Sequence, residues 1–504
     1  MLLKDLLEGM EYRLLSGSLK TEISDIVYDS RKVKQGAAFV CMKGTRTDSH
    51  DYIPQALDQG AAALIVEREP EDWKEGCPWE QAGEPIAVVQ VANGREALAR
   101  LSAAYFGHPT RKLTAIGVTG TKGKTTVTYM IKSILESAGK KVGLVGTNGI
   151  VIDGVKEPTM NTTPESYLLQ EAFHRMVEAG CEYMVMEVSS QGLKMHRVDG
   201  IDFDYGIFTN ISPDHIGPDE HADFEEYLNC KAMLFDRCKV GLFNGDDEHT
   251  AGILKKASCQ CFTFGMDQPA DFYVDDVEYV ADTDFVGVAF SVKGKYPVDV
   301  RVNIPGRFNV YNALAAISLC SFLDLSKEKL CHALEHIVVD GRMEIVHASD
   351  RCTVIVDYAH NAVSMESLLT TLRDYHPRRL VCVFGCGGNR SKLRRYDMGE
   401  IAGRMADFSI ITADNSRYEK VEDIICDIQV GLHRNPNPSY IVIPDRREAI
   451  FHSILEASPG DMVVIIGKGH EDYQEVNGVR HYFLDKAVAL EALRAVKEEG
   501  GNAE

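Results

Sequence analysis

The chain has 504 residues, of which 45% are hydrophobic and 26% charged, the balance of a soluble globular protein with room for about three domains. A formal net charge of −21 argues against a nucleic-acid partner, which needs a basic face. It leaves room for an anionic substrate, because a local cluster of cations and helix ends can dominate a site.

No apolar run is long enough to span a bilayer, and Met1-Leu2-Leu3-Lys4-Asp5 lacks a signal-peptide pattern, so membrane insertion is not expected. Thirteen cysteines are scattered without paired C-x-x-C spacing, and Cys259 and Cys261 have no matching second pair. Reduced thiols in a cytoplasmic protein, without zinc, are the expectation.

Residues 1–110 read as a small α/β module. Ile26-Val27-Tyr28 is a short strand running into the polar turn Asp29-Ser30-Arg31-Lys32. Ala37 to Met42 is a second strand, and the loop Lys43 to His50 that follows carries Thr45, Arg46 and Thr47. Ile53 to Leu57 suits a helix with Pro54 in its first turn, and Ala62 to Val66 is a further strand. On local grounds these hydroxyl-rich loops are ordinary solvated turns.

Residues 111–339 read as a larger α/β domain. The apolar run Leu113 to Val118 predicts a buried parallel strand, and Val127 to Leu135 has the apolar spacing of a helix packed back on it. Between them lies Gly120-Thr121-Lys122-Gly123-Lys124-Thr125-Thr126. Strand, glycine-rich turn and helix are the context of a phosphate-binding loop: N–H groups and the helix N-terminus face the phosphate, Lys124 adds a mobile charge, and Thr125 offers a hydroxyl to Mg²⁺. A general loop of this kind has glycine at position 118, where this chain has Val118.

Lys141 to Gly146 is the next strand, leading through Thr147-Asn148-Gly149 to the loop Asn161-Thr162-Thr163-Pro164. Tyr183 to Met186 ends in Glu187-Val188-Ser189-Ser190, and Tyr205 to Thr209 ends in Asn210-Ile211-Ser212-Pro213-Asp214-His215. Ligands gather beyond the carboxyl ends of such strands. Glu187 is therefore a candidate Mg²⁺ ligand opposite Thr125, although a lone carboxylate there is more often a cap. Lys231, in an apolar helical stretch, reads locally as a solvated lysine. Residues 270–305 alternate as in a β meander, and Asn309, at the start of the next helix, reads as a cap.

Residues 340–504 read as a second doubly wound domain. Its strands end in Asp357-Tyr358-Ala359-His360-Asn361, Gly385-Cys386-Gly387-Gly388-Asn389-Arg390, Asp414-Asn415-Ser416-Arg417 and Gly467-Lys468-Gly469-His470-Glu471. Four such loops at one edge make a site, though each alone is a weak signal.

Over nearly the whole chain this pattern resembles the Mur ligases, ATP-dependent amide-forming enzymes of peptidoglycan precursor synthesis. The resemblance is carried by Thr119 to Thr126, Glu187 to Ser190, the Asn309/Asn312 helix start and Asp357 to Asn361. The family's own loop lacks the upstream glycine, which accounts for Val118. Asp29-Ser30-Arg31, Asn161 to Thr163, Gly385 to Gly388 and Gly467 to Glu471 look like the MurE type, which adds the third stem-peptide residue to UDP-N-acetylmuramoyl-L-alanyl-D-glutamate.

The resemblance implies an α/β fold in three domains. These are a small N-terminal α/β domain at 1–110 for the UDP-sugar, a central P-loop-type ATPase domain with a mainly parallel sheet at 111–339, and a C-terminal Rossmann-like domain at 340–504 for the amino acid. It implies an acyl phosphate intermediate, ATP and Mg²⁺, and a monomer is expected. Lys124, Lys231 and His215 become catalytic candidates, with Thr125, Glu187, His215 and a carbamylated Lys231 as metal contacts.

Gly120, Thr121, Lys122, Gly123, Thr126, Asn309, Arg342 and Asp357 are implied on the nucleotide side. Ser30, Thr45, Arg46, Thr47, Thr162, Thr163, Ser189 and Arg197 are implied for the UDP-sugar-peptide, with Met195 where the family often has glutamine. Arg395, Asp414, Asn415, Ser416, Arg417, Gly467 and Glu471 match the pocket for the incoming amino acid. Arg417 favours meso-diaminopimelate over L-lysine, since guanidinium binds a distal carboxylate bidentately. Ser416 stands where the diaminopimelate form has proline and leaves another diamino acid open. The rival readings are folylpolyglutamate synthase, which shares the ATP machinery, and a non-catalytic paralogue that kept the fold.

Overall fold

The computed structural model describes the chain apart from residues 45–46, 70–79, 82–83, 214–215, 218–219, 268 and 502–504. It divides into two compact units: Met1–Asp271 with Ser318–Asp324, and Phe272–Ile317 with Leu325–Glu504. Among the described residues no helix is long and apolar enough to cross a membrane, and the described cysteines are free thiols.

Two sheets carry the core of the first unit. In the N-terminal one, strands run in the order Arg13–Ser16, Ala87–Gln90, Ala63–Val66, Ala38–Val40 and Ile26–Val27, parallel except for Arg13–Ser16. The inner strands Ala38–Val40 and Ala63–Val66 are apolar and buried at every position because both of their faces are covered. Ala38 and Val40 enter one core cluster while Phe39 enters the other, and Ala63 and Ile65 divide from Leu64 and Val66 in the same way. Fully burying a side chain such as Phe39 contributes about 2 to 3 kcal/mol.

The larger sheet sets the register of the site. Thr114–Thr119 lies between Tyr183–Glu187 and Phe203–Phe208, all parallel, with Glu187 opposite Val118 and Phe208 opposite Thr119. The three carboxyl ends are therefore level, and the loops beyond them must meet. Helix Lys124–Ser137 buries Val127, Met130, Ile131, Ile134 and Leu135, a stripe at helical spacing, against the strands at its back. Val118 is wholly buried in this sheet and its carbonyl accepts from the Val188 N–H at 2.8 Å. A valine there is a core residue.

In the second unit, Phe272–Ala281, Val286–Gly294 and Val298–Val302 form the antiparallel meander expected for 270–305. A six-stranded sheet follows in the order Glu344–His347, Cys352–Asp357, Asp461–Ile466, Arg379–Phe384, Phe408–Ile411 and Tyr440–Val442. All neighbours are parallel except at Glu344–His347. Asp357 pairs with Ile466, Val383 with Ile465 and Phe384 with Ile411, so the four polar loops leave the sheet at one edge. Asn361 closes a capping box with Ser364 and starts helix Ala362–Arg373 immediately after its strand-end loop.

Candidate active site

The phosphate-type loop is held from below. Gly123 caps helix Lys124–Ser137 at φ 85°, a left-handed conformation that costs glycine little. Gly120 packs so closely on Thr209 that a Cβ would collide with its hydroxyl and crowd the Asn210 backbone. Thr209 Oγ1 donates to the Lys122 carbonyl at 2.7 Å, and Asn210 accepts the Lys122 N–H at 2.9 Å through Oδ1. Lys124 curls over the loop, its Nζ donating to the carbonyls of Gly120 at 2.7 Å and Thr121 at 3.1 Å.

Beside the loop, Thr125 Oγ1 donates to Glu187 Oε1 at 3.0 Å. The same carboxylate accepts the Thr147 N–H at 2.9 Å and the Thr147 hydroxyl at 3.1 Å, and Thr147 meets the Thr162 hydroxyl at 3.1 Å. Thr163 bridges the Glu187 carbonyl and the Ser189 N–H, both at 2.9 Å, while Ser189 caps the next turn through Gly192. Arg197 reaches the Thr163 carbonyl at 3.0 Å and pairs with Glu165 at 2.8 Å. Glu187 is thus no helix cap. A hydroxyl and a carboxylate side by side are hard oxygen donors, the set that Mg²⁺ takes.

Lys231 is only 1% exposed, which corrects the local reading of a solvated lysine. Its Nζ lies 4.4 Å from the centre of the Tyr227 ring, and the Tyr227 hydroxyl meets Thr121 Oγ1 at 2.9 Å. The lysine thereby reaches the phosphate loop through one aromatic ring. His221, also buried, meets Ser190 at 2.9 Å. In the N-terminal module Ser30 is buried on Gln55 at 2.9 Å, not in a solvated turn, and Thr47 is exposed. Thr45, Arg46 and His215 lie outside the described residues.

The strand-end loops of the second unit form a network of their own. Asp357 accepts the N–H groups of Met343 and Ala359, each at 2.7 Å. Burial pushes its carboxyl above the usual carboxylate range, and Arg342 pulls the other way. Arg342 lies 4.9 Å from the Tyr358 ring centre. Asn309 sits inside helix Arg307–Cys320 and donates to the Pro305 carbonyl at 2.7 Å, accepting from Asn312 at 2.8 Å.

Around the last loops, Gly388 N–H donates to the Asn415 carbonyl at 2.8 Å, and a Cβ on Gly388 would strike Ser416. Ser416 itself is buried. Arg417 adopts φ 51°, uncommon for a residue with a side chain, and its guanidinium donates to the Gly388 carbonyl at 2.6 Å. Asn415 Nδ2 donates to Glu471 at 2.9 Å, and Gly467 packs against Asp414. Arg395, 1% exposed, forms ion pairs with Asp427 at 2.9 Å and Glu419 at 2.8 Å and reaches the Gly387 carbonyl at 3.4 Å. The Arg395 hydrogen bond and the Asn389 N–H hold Glu419 below the usual carboxylate range. Arg395 thus supports the Gly385–Arg390 loop from behind.

Three family models cover this arrangement: "Mur ligase family, catalytic domain" at residues 22–106, "Mur ligase middle domain" at 118–320 and "Mur ligase, glutamate ligase domain" at 341–469. The UDP-N-acetylmuramoyl-L-alanyl-D-glutamate–2,6-diaminopimelate ligase of Clostridium perfringens is 39% identical, over 98% of this chain and 99% of its own. This chain belongs to the Mur ligase family. The ligase of the same name from Clostridioides difficile is 40% identical over 98% of this Mur ligase and 99% of its own length. A solved structure of a ligase of that name superposes with a TM-score of 0.73 at 30% identity, covering 99% of both chains. Folylpolyglutamate synthase of Mycobacterium tuberculosis, at 19% identity, a TM-score of 0.58 and 78% of this chain, shares the fold alone.

Some residues of this Mur ligase site carry no local signal. Thr147, Asn210 and Lys468 stand in loops whose polarity is visible, but nothing adjacent marks Tyr227 or the pair Arg446–Asp485. Arg446 donates to Asp485 from Nε and Nη2, each at 2.7 Å, and also reaches the carbonyls of Ala413 at 3.2 Å and Ile466 at 3.0 Å. It ties together the roots of two pocket loops.

Proposed function

We propose that this Mur ligase uses ATP to join meso-diaminopimelate to UDP-N-acetylmuramoyl-L-alanyl-D-glutamate through an acyl phosphate, as a cytoplasmic monomer supplying peptidoglycan synthesis. The observation that carries the reading is the full-length likeness, at 39% identity, to ligases whose names specify both acceptor and diamino acid. Under this reading residues 1–110 hold the UDP-sugar, 111–339 the nucleotide and 340–504 the amino acid.

The first barrier is repulsion between a substrate carboxylate and the γ-phosphate, so cations and loop N–H groups matter most. Lys124 and the N–H groups of Gly123–Thr126, where the helix begins, would take up phosphate charge, since those of Thr121 and Lys122 are bonded to Asn210. Thr125, Glu187, His215 and a carbamylated Lys231 would hold Mg²⁺, which neutralises phosphate oxygens when bound. Carbamylation turns the buried Lys231 from a cation into an anion, the change of sign a metal ligand needs. Asn309, Arg342 and Asp357 serve the adenosine side, and Ser30, Thr45, Arg46, Thr47, Thr162, Thr163, Ser189 and Arg197 serve the UDP-sugar-peptide.

The incoming amino acid is taken between Asp414-Asn415-Ser416-Arg417 and Gly467–Glu471. Arg417 meets the distal carboxylate and Glu471 an ammonium, while Arg395 acts through the loop it supports. The test is phosphate release with ATP and the UDP-muramoyl dipeptide, comparing meso-diaminopimelate, L-lysine and L-ornithine side by side. Diaminopimelate should give the highest kcat/KM. Equal or better turnover of lysine would sink the selectivity, and turnover of a folate acceptor in place of the dipeptide would sink the whole reading.

A further inference from the structure

Lys468 is 0% exposed in the loop that follows strand Asp461–Ile466. A buried ammonium persists only when it is paired and hydrogen-bonded. Its Nζ donates to Asn415 Oδ1 at 3.1 Å and to Glu471 Oε2 at 3.2 Å, and lies 5.1 Å from the centre of the Tyr473 ring. Lys468 therefore joins the loop after Ile411, the loop after Ile466 and the hairpin Tyr473–Val476/Val479–Tyr482.

We propose that Lys468 is a positioning residue that fixes which polar groups the amino-acid pocket presents, so that this end of the pocket takes an α-amino-acid zwitterion. The proposal rests on the ligase reading above. A carboxamide has donor and acceptor ends of nearly the same shape, and its surroundings decide which way round it stands. Asn415 Oδ1 receives both the Lys468 ammonium and the Glu475 N–H, the latter at 2.9 Å. Reversing the amide would set NH₂ against two donors.

Nδ2 is thereby directed to Glu471 Oε2 at 2.9 Å, and its second N–H is a donor for a carboxylate. Glu471 is fixed by the same triangle. Its Oε2 takes Asn415 and Lys468, while Oε1 meets, among the described residues, the Tyr358 hydroxyl at 3.5 Å and would accept from a ligand ammonium. Removing the lysine releases the amide to turn and the carboxylate to swing, with the ligand-facing side chains themselves intact.

The test compares wild type with Lys468→Met, which keeps the length and drops the charge, and with Lys468→Gln, a neutral variant that can still hydrogen-bond if methionine is not tolerated. KM is measured separately for diaminopimelate, ATP and the UDP-muramoyl dipeptide. Misplaced binding groups should raise KM for diaminopimelate by on the order of 10- to 100-fold, with the other two KM values within about twofold and kcat within about fivefold. A diaminopimelate KM within about twofold of wild type, all three KM values rising together, or failure of both variants to fold would overturn the proposal. Wild-type enzyme inactive with every diamino acid would overturn the ligase reading instead.

Discussion

Thr125 Oγ1 donates to Glu187 Oε1 at 3.0 Å, joining the first turn of the phosphate-loop helix to the end of the neighbouring parallel strand. The contact follows from register, because Glu187 stands opposite Val118 and the two chain ends leave the sheet at one level. Glu187→Gln keeps the size and removes the charge facing that hydroxyl. Phosphate release should fall by about 100-fold, the scale of a lost electrostatic group in an active site, and rising Mg²⁺ should recover part of it. Full activity in a malachite-green assay would dismiss Glu187 from the metal site.

Gly120 offers a sharper test of the nucleotide loop. Its Cβ position is occupied by the Thr209 hydroxyl and crowded by the Asn210 backbone, so Gly120→Ala must displace the loop or the Thr209 side chain that holds it. ATP affinity measured by titration calorimetry should drop at least about tenfold, since loop N–H groups must converge on the phosphates. The melting temperature should move much less than for a core substitution.

The wholly buried pair Arg446–Asp485 separates stability from assembly of the pocket. Asp485→Ala leaves an uncompensated buried cation and should cost about 3 to 5 kcal/mol. Replacing both partners by apolar residues, Arg446→Met with Asp485→Leu, should recover most of that stability. The double variant should nevertheless bind diaminopimelate poorly, because the Ala413 and Ile466 carbonyls lose their donor. Calorimetric unfolding and ligation kinetics on the same samples check both halves.

His196 and Asp199 give a pH signature. The hydrogen bond to Asp199 at 2.7 Å raises His196 above its ordinary value of 6.5, against the effect of burial. For Asp199, burial is outweighed by that bond and by Arg237, which hold it below the usual carboxylate range. A base with a raised value stabilises the fold fully below pH 6.5 and loses that contribution as pH rises through the folded value. His196→Asn, chosen because His196 has φ 56°, should lower stability by about 1 kcal/mol near pH 6. The difference should close in alkaline buffer, and melting curves across pH would expose a gap of constant size if the pair does not titrate this way.

The phosphate loop was legible because its chemistry is local. Glycines, Lys124 and Thr125 lie within a few residues, and a strand on one side and a helix on the other fix the geometry. The strand-end loops were legible for a related reason, since parallel strands of similar length end together. Lys231 was not. Its local stretch does not distinguish it from a solvated lysine, and its burial over the Tyr227 ring, which bonds Thr121, is set by the tertiary packing.

The sequence by itself determined the strands and helices that carry the site, the phosphate loop and, through resemblance, the family. Periodicity and glycine placement act over one or two turns of chain. Only the tertiary structure decided which polar groups lock one another. Lys468 meets Asn415 across 53 residues and Arg446 meets Asp485 across 39. Such pairs exist because burial removes water and leaves each charge only the partner that the fold brings to it.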